Sequence, residues 1–139
     1  MSRSYSLTDT NRLLPLVRAI AAEIVERRSQ RLELLRRRER LEAAYSPEGF
    51  SRALADLDAR IYRMDEGIEN GCRELTGLGL TVLRTHPLTV HFPGTTRTGT
   101  IVFCWQEGED RVTFGHPCGE EEDPRRPLKL RVSDSSPEA

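Results

Sequence analysis

The residues best suited to chemistry lie in the last third of the sequence. They are two cysteines, a histidine and the only tryptophan: Cys104, Trp105, His116 and Cys118. Thiolate sulfur and imidazole nitrogen are ligands that zinc prefers, usually four of them in a tetrahedron. A cysteine hydrogen-bonded to a histidine can also act as a nucleophile. Either chemistry requires Cys104 and His116 to lie on the same side of the structure.

A predicted β-hairpin decides whether those two side chains can meet. If Gln106 faces Arg111 across a four-residue turn, alternation along the strands places Trp105 and His116 on the core face and Cys104 on the opposite face. Cys104 and His116 could then share a metal only through a bulge. We therefore predict no metal ligands and no cofactor, and zinc is the metal that these residue types would otherwise favour.

A small-ligand-binding or metal-binding protein, or an enzyme, with a site near the sheet is the alternative that this hairpin leaves open. It would use Trp105, His116 and Arg126, and His116 would lie near the acidic residues 120–123. His116 and Cys118 share a face, but two ligands are a weak metal signal. The sequence contains no serine elbow, glycine-rich phosphate loop or HExxH motif, so we predict no catalytic residue and leave enzymatic activity uncertain.

Seven arginines form a ridge in the first predicted helix: Arg27, Arg28, Arg31, Arg36, Arg37, Arg38 and Arg40. Such a ridge could contact an RNA or DNA backbone. Glutamates stand three or four residues from several of these arginines, and no aromatic side chains are interleaved with them. We therefore expect a solvated helix face and no nucleic acid, and keep an RNA-binding accessory role as a further alternative.

Two long helices must position these residues. An apolar stripe over residues 8–45 predicts helix 1, for which Thr8 resembles an N-cap. Residues 46–76 predict helix 2, whose apolar residues follow a heptad seam: Phe50, Leu54, Leu57, Ile61, Met64, Ile68 and Leu75. Gly71 occupies the skipped seam position. Two helices joined by a tight turn form an antiparallel, coiled-coil-like hairpin.

The periodicity changes after the second helix. Residues 80–116 alternate apolar and polar side chains, which predicts a small antiparallel sheet of about four strands. Residues 117–132 form a C-terminal segment, and residues 133–139 have the composition of a disordered tail. The sequence thus predicts one α+β domain over residues 1–132.

Several short motifs occur in order along nearly the whole chain: NRLLPLV at 11–17, LGL at 78–80, VHFP at 90–93, CWQEGE at 104–109, His116 and RPL at 126–128. Together they resemble the bacterial domain-of-unknown-function 2203 family. The chain departs from the family pattern at His91, Gly115 and residues 119–122. The resemblance implies this architecture, and the family has no established activity to transfer.

Composition limits the remaining choices. The chain has 139 residues, a net charge of −1, 37% hydrophobic and 31% charged residues, which is polar for a globular domain. No segment resembles a membrane span or a secretory signal, and three cysteines without CxxC spacing suggest reduced thiols, so we expect a cytoplasmic protein. Long helices with little apolar mass favour a homodimer. We predict a non-enzymatic homo-oligomeric scaffold with an unknown protein partner.

Overall fold

The computed structural model describes residues 4–44, 50–116 and 126–128. Two helices precede a sheet whose strands are hydrogen-bonded in chain order. The elements are α1 (Leu7–Ala43), α2 (Phe50–Gly77), β1 (Thr81–Thr85), β2 (Leu88–Thr96), β3 (Gly99–Gln106), β4 (Phe114–His116) and the two-residue β5 (Arg126–Pro127). All strand pairs are antiparallel. The predicted α+β class, with two packed helices before an antiparallel sheet, is confirmed. The predicted tail and most of the C-terminal segment lie outside the described residues.

Helix α1 begins one residue before its predicted start. Ser6, rather than Thr8, is the N-cap, because the Ser6 hydroxyl accepts a hydrogen bond from the backbone N–H of Asp9 at 3.0 Å. The helix then continues through Pro15 to Ala43. None of the described helices is long and apolar enough to cross a membrane.

The two helices pack along the predicted seam. Every seam residue of α2 is buried or half-buried. Gly71 fills the skipped position because a Cβ there would lie 2.5 Å from the Ile24 side chain of α1. Ion pairs cross from α1 to α2 between Arg31 and Asp65 and between Arg38 and Asp58. Since the residue numbers rise on one helix while they fall on the other, the helices run antiparallel.

One face of the sheet packs against the first half of α1 and the end of α2. The buried cluster there, called the sheet-side core below, has side chains that are at most 3% exposed: Leu14, Val17, Ala21, Ile24, Leu75, Leu80, Leu88, Val90, Phe92, Phe103, Trp105 and Val112. Helix α1 contributes residues spaced three or four apart, and β2 and β3 contribute alternate residues. This is the main core of the chain.

The register between β3 and β4 differs from the prediction. Val102 pairs with His116, and Cys104 pairs with Phe114. Residues that face each other in antiparallel strands share a face. His116 therefore lies on the same face as Cys104 and on the face opposite Trp105, so the predicted parity was wrong. The cause is a longer connection: residues 107–113 lie outside the strands, so Arg111 does not pair with Gln106.

Candidate functional site

The strand registers place a buried pair of histidines on the sheet face opposite the sheet-side core. His91 of β2 faces Cys104 of β3, and His116 of β4 lies beside them. The ring centroids of His91 and His116 are 4.9 Å apart with planes at 69°, an edge-to-face contact. His91 is 6% exposed, His116 is 2% exposed and Cys104 is 1% exposed. The alternation of apolar and polar residues over 80–116 carries no signal for the burial of His91.

This histidine pair does not form a metal centre in the described structure. Two imidazoles in edge-to-face contact pack like core aromatics, whereas zinc requires several ligand atoms directed at one point. Within residues 4–44, 50–116 and 126–128, no group of three or more His, Cys, Asp or Glu side chains could hold a metal ion. Cys118, the other considered ligand, lies outside those residues, and zinc binding there stays untested.

Two residues of the predicted ligand site, Trp105 and His116, lie on opposite faces of the sheet. Trp105 belongs to the sheet-side core, and its indole N–H donates to the backbone oxygen of Glu109 at 2.8 Å. His116 is buried on the other face. Arg126 is described at the backbone, where it pairs with Gly115. Trp105 and His116 therefore cannot contact the same small ligand across the intact sheet.

The motif residues around the β3–β4 connection hold that connection against the helices. The Glu109 carboxylate accepts from the backbone N–H of Gln106 at 2.9 Å. Asn11 of α1 accepts from the backbone N–H of Val112, also at 2.9 Å, through its side-chain oxygen. These bonds satisfy turn backbone groups that would otherwise be unpaired. The asparagine and tryptophan motifs thus hold the β3–β4 connection in place.

A partly buried ion pair joins α1 to the same connection and to the β1–β2 turn. Arg28 donates to both carboxylate oxygens of Glu107, at 2.6 and 3.1 Å, and to the backbone oxygen of Thr85 at 2.7 Å. Glu107 also accepts from the backbone N–H of Leu88. The hydrogen bond from Arg28 is the main cause that lowers the pKa of Glu107, and the same bond raises the pKa of Arg28. The pair is therefore a structural clamp with both partners charged.

The arginine ridge is largely neutralised. Six of its seven arginines contact an acid in the described part of the chain: Arg27 with Glu23, Arg28 with Glu107, Arg31 with Asp65, Arg37 and Arg40 with Glu33, and Arg38 with Asp58 and Glu42. Paired guanidinium groups attract phosphate less than free ones. This pairing favours the expected solvated face, and RNA binding stays an untested alternative.

Two of the three exposed large apolar side chains among the described residues lie in the half of the hairpin far from the sheet. Leu32 of α1 is 49% exposed and Tyr62 of α2 is 62% exposed. On one side a shallow groove of about 330 Å³ runs between the helices, lined by Gln30, Glu33, Leu34, Arg37, Arg60, Arg63 and Met64. Of these residues, only Arg37 was singled out from the sequence as a candidate functional residue, as part of the arginine ridge. Tyr62 stands four and three residues from Asp58 and Asp65, a spacing that marks one helix face.

The comparisons with known proteins agree with the motifs. A family model described as an uncharacterized conserved protein (DUF2203) matches residues 3–128. The match covers most of the chain, so the chain belongs to this family, and the resemblance is confirmed. No curated protein and no solved structure matches the chain. Family membership therefore supports the architecture and assigns no activity.

Proposed function

We propose that this DUF2203 family member is a homodimeric interaction module. The helical hairpins of two copies pair into a four-helix bundle, and the sheet sides remain available to a further protein partner. The observation that supports this proposal is the small number of buried side chains in the distal hairpin, which comprises residues 29–43 of α1 and 50–66 of α2.

The distal hairpin extends beyond the reach of the sheet. In the described structure, Arg28 is the last α1 residue whose side chain bonds to the sheet side. The fifteen α1 residues that follow, 29–43, span about 22 Å. Helices of this length bury a wide apolar face when they belong to a globular core. Here the described structure provides only the other helix.

The distal core is correspondingly small. Three residues are buried there, Leu34, Leu57 and Ile61, and they are 6–9% exposed. Leu35, Leu41 and Met64 are partly buried around them. Two helices alone cannot enclose a core on all sides, whereas four helices can. A second copy would cover the half-buried leucines and the exposed Tyr62 together.

Sedimentation equilibrium tests the proposal. At high micromolar concentration the fitted mass should be about twice the 15.8 kDa chain mass, and dilution should shift it toward the monomer. Tyr62→Ser should weaken this association because it removes exposed apolar area from the distal hairpin. Leu16→Ser is the matched control, since Leu16 is 48% exposed but lies in the first half of α1. A monomer at every concentration would contradict the proposal.

A further inference from the structure

One lateral face of the distal hairpin carries a repeated pattern on both helices. On α1, Arg31, Leu35 and Arg38 follow spacings of four and three, so they lie on one helix face. On α2, Asp58, Tyr62 and Asp65 follow the same spacings. This surface, called the charged-pair face below, lies on the side of the hairpin opposite the groove.

Two ion pairs fix how the helices align across the charged-pair face. The Arg31 Nε lies 2.5 Å from an Asp65 oxygen, and the Arg38 Nε lies 2.7 Å from an Asp58 oxygen. The step of seven residues from Arg31 to Arg38 on α1 therefore matches the step of seven residues from Asp65 back to Asp58 on α2. Leu35 lies between the arginines and Tyr62 between the aspartates, so these two apolar side chains occupy the same level. The charged-pair face therefore has an apolar centre with one arginine–aspartate ion pair on each side of it.

The exposure of these groups leaves them able to contact a partner. The side chains of Arg31 and Asp65 are 40% and 45% exposed, and those of Arg38 and Asp58 are 31% and 51% exposed. Ion pairs at such exposure are weak, because solvent screens them. Each charge therefore retains capacity for a second opposite charge, as one guanidinium can bind two carboxylates.

Symmetry distinguishes the two ways in which a second copy could cover this face. A twofold axis perpendicular to the helices would place α1 on α1, with Arg31 over Arg38 of the second copy and Asp58 over Asp65. A twofold axis parallel to the helices places α1 on α2 of the second copy. Arg31 then meets Asp65, Arg38 meets Asp58, and Leu35 meets Tyr62. Because like charges repel across an interface, the parallel axis is favoured.

We infer that the charged-pair face is the dimer interface, and that its twofold axis runs parallel to the helices; this inference rests on the homodimer proposed above. The face contains two arginines and two aspartates, so its own charge sums to zero. Such a pattern complements itself and does not favour a purely acidic or basic partner. The groove on the opposite side, with three arginines and one glutamate among its lining residues, lacks this self-complementarity.

Double charge reversals test the interface, and single reversals test its axis: under the parallel axis Arg31→Glu should form a heterodimer with Asp65→Arg and not with Asp58→Arg, whereas equal pairing with both would contradict that axis. The acidic-face variant carries Arg31→Glu and Arg38→Glu, and the basic-face variant carries Asp58→Arg and Asp65→Arg. Each should repel itself and dissociate, raising the dimer Kd at least tenfold. Their equimolar mixture should form a one-to-one heterodimer, because every contact between an all-acidic and an all-basic face joins opposite charges. Native mass spectrometry distinguishes the two chains by mass.

The control variant reverses charges on the groove side, Arg37→Glu with Arg63→Glu, and should dimerise like the wild type. Far-UV circular dichroism checks that every variant stays helical, and a variant that loses helicity is replaced by Arg38→Glu or Asp58→Arg alone. If the variants dimerise separately, or if both dissociate and their mixture stays monomeric, the assigned interface is wrong while the wild-type dimer stands. A monomeric wild type would overturn the homodimer itself.

Discussion

The sheet-side core and the distal hairpin are built from the same two helices and are packed very differently. Near the sheet, α1 contacts α2 on one flank and β2 on another, and Val17 and Ile24 are fully buried. Farther along, α2 is the packing partner of α1 within the described residues, and Leu34 is 6% exposed. The helix is continuous, so the difference arises from what surrounds it. The burial of α1 side chains along its length therefore reflects which elements pack against each part of the helix.

The largest effect should come from breaking the sheet-side core. Phe92 is fully buried in β2, and its ring makes an edge contact with Tyr5, with ring centroids 6.3 Å apart. Phe92→Ala should lower the free energy of unfolding by about 3–5 kcal/mol, because it removes buried area and leaves a cavity. Urea denaturation followed by circular dichroism measures this loss. A loss below about 1 kcal/mol would show that this region is not the main core.

A smaller effect is expected from the seam of the distal hairpin. Ile61 is 9% exposed, and Ile61→Ala should lower the free energy of unfolding by about 2–5 kcal/mol if the site is fully enclosed. The loss should reach that range at concentrations that favour the dimer and fall below it on dilution. A loss under about 0.5 kcal/mol at all concentrations, the scale of a surface change, would place Ile61 outside any core.

The clamp between Arg28 and Glu107 should give a pH-dependent effect of intermediate size. The pKa of Glu107 is lowered below its ordinary 4.5, chiefly by the hydrogen bond from Arg28. A lowered folded-state pKa stabilises the fold above the ordinary carboxyl pKa, and this contribution is lost as the pH falls through the folded value. Glu107→Gln should cost about 1–3 kcal/mol near pH 7.

The difference between wild type and Glu107→Gln should therefore shrink as the pH falls below 4.5. Urea titrations of both proteins between pH 7 and strongly acidic pH measure it. Glu66→Gln is a suitable control because Glu66 is exposed on α2. A difference that stays constant with pH would mean that the charge on Glu107 does not contribute to the clamp.

The smallest effect on folding should be at Tyr62, where association is expected to change instead. Tyr62 is 62% exposed, so Tyr62→Ser should change the stability of the isolated monomer by less than about 0.5 kcal/mol. The Tyr62→Ser dimer should nevertheless have a larger Kd than the wild-type dimer, so that it dissociates at a higher protein concentration. Equal dissociation constants for the two proteins would place Tyr62 outside the interface.

The sequence predicted the elements well because their signals are local. The four-three spacing from Phe50 to Ile68 identified α2, and the alternation from Leu88 to Phe92 identified a strand whose apolar residues face the core. The N-cap is Ser6 and not the predicted Thr8. Serine and threonine can both cap a helix, so the sequence alone does not determine which of the two does. Such small shifts leave the architecture unchanged.

Strand register was harder to predict, and the candidate site depended on it. The assumed four-residue turn after Gln106 set the parity of His116, whereas the actual connection includes Val112, which packs into the sheet-side core. An odd change in register moves every side chain of a strand to the other face. The ring contact between His91 and His116 joins residues that are distant in the sequence. Periodicity within one strand carries no signal for such a contact.

Hydrogen exchange at two protein concentrations tests the central claim most directly, because it reads both regions in one experiment. Amides in the sheet-side core should be strongly protected at any concentration. Amides in residues 29–43 and 50–66 should exchange readily at low micromolar concentration and become protected at high concentration, when a second copy covers the distal hairpin. Distal protection that is unchanged by concentration would contradict the account.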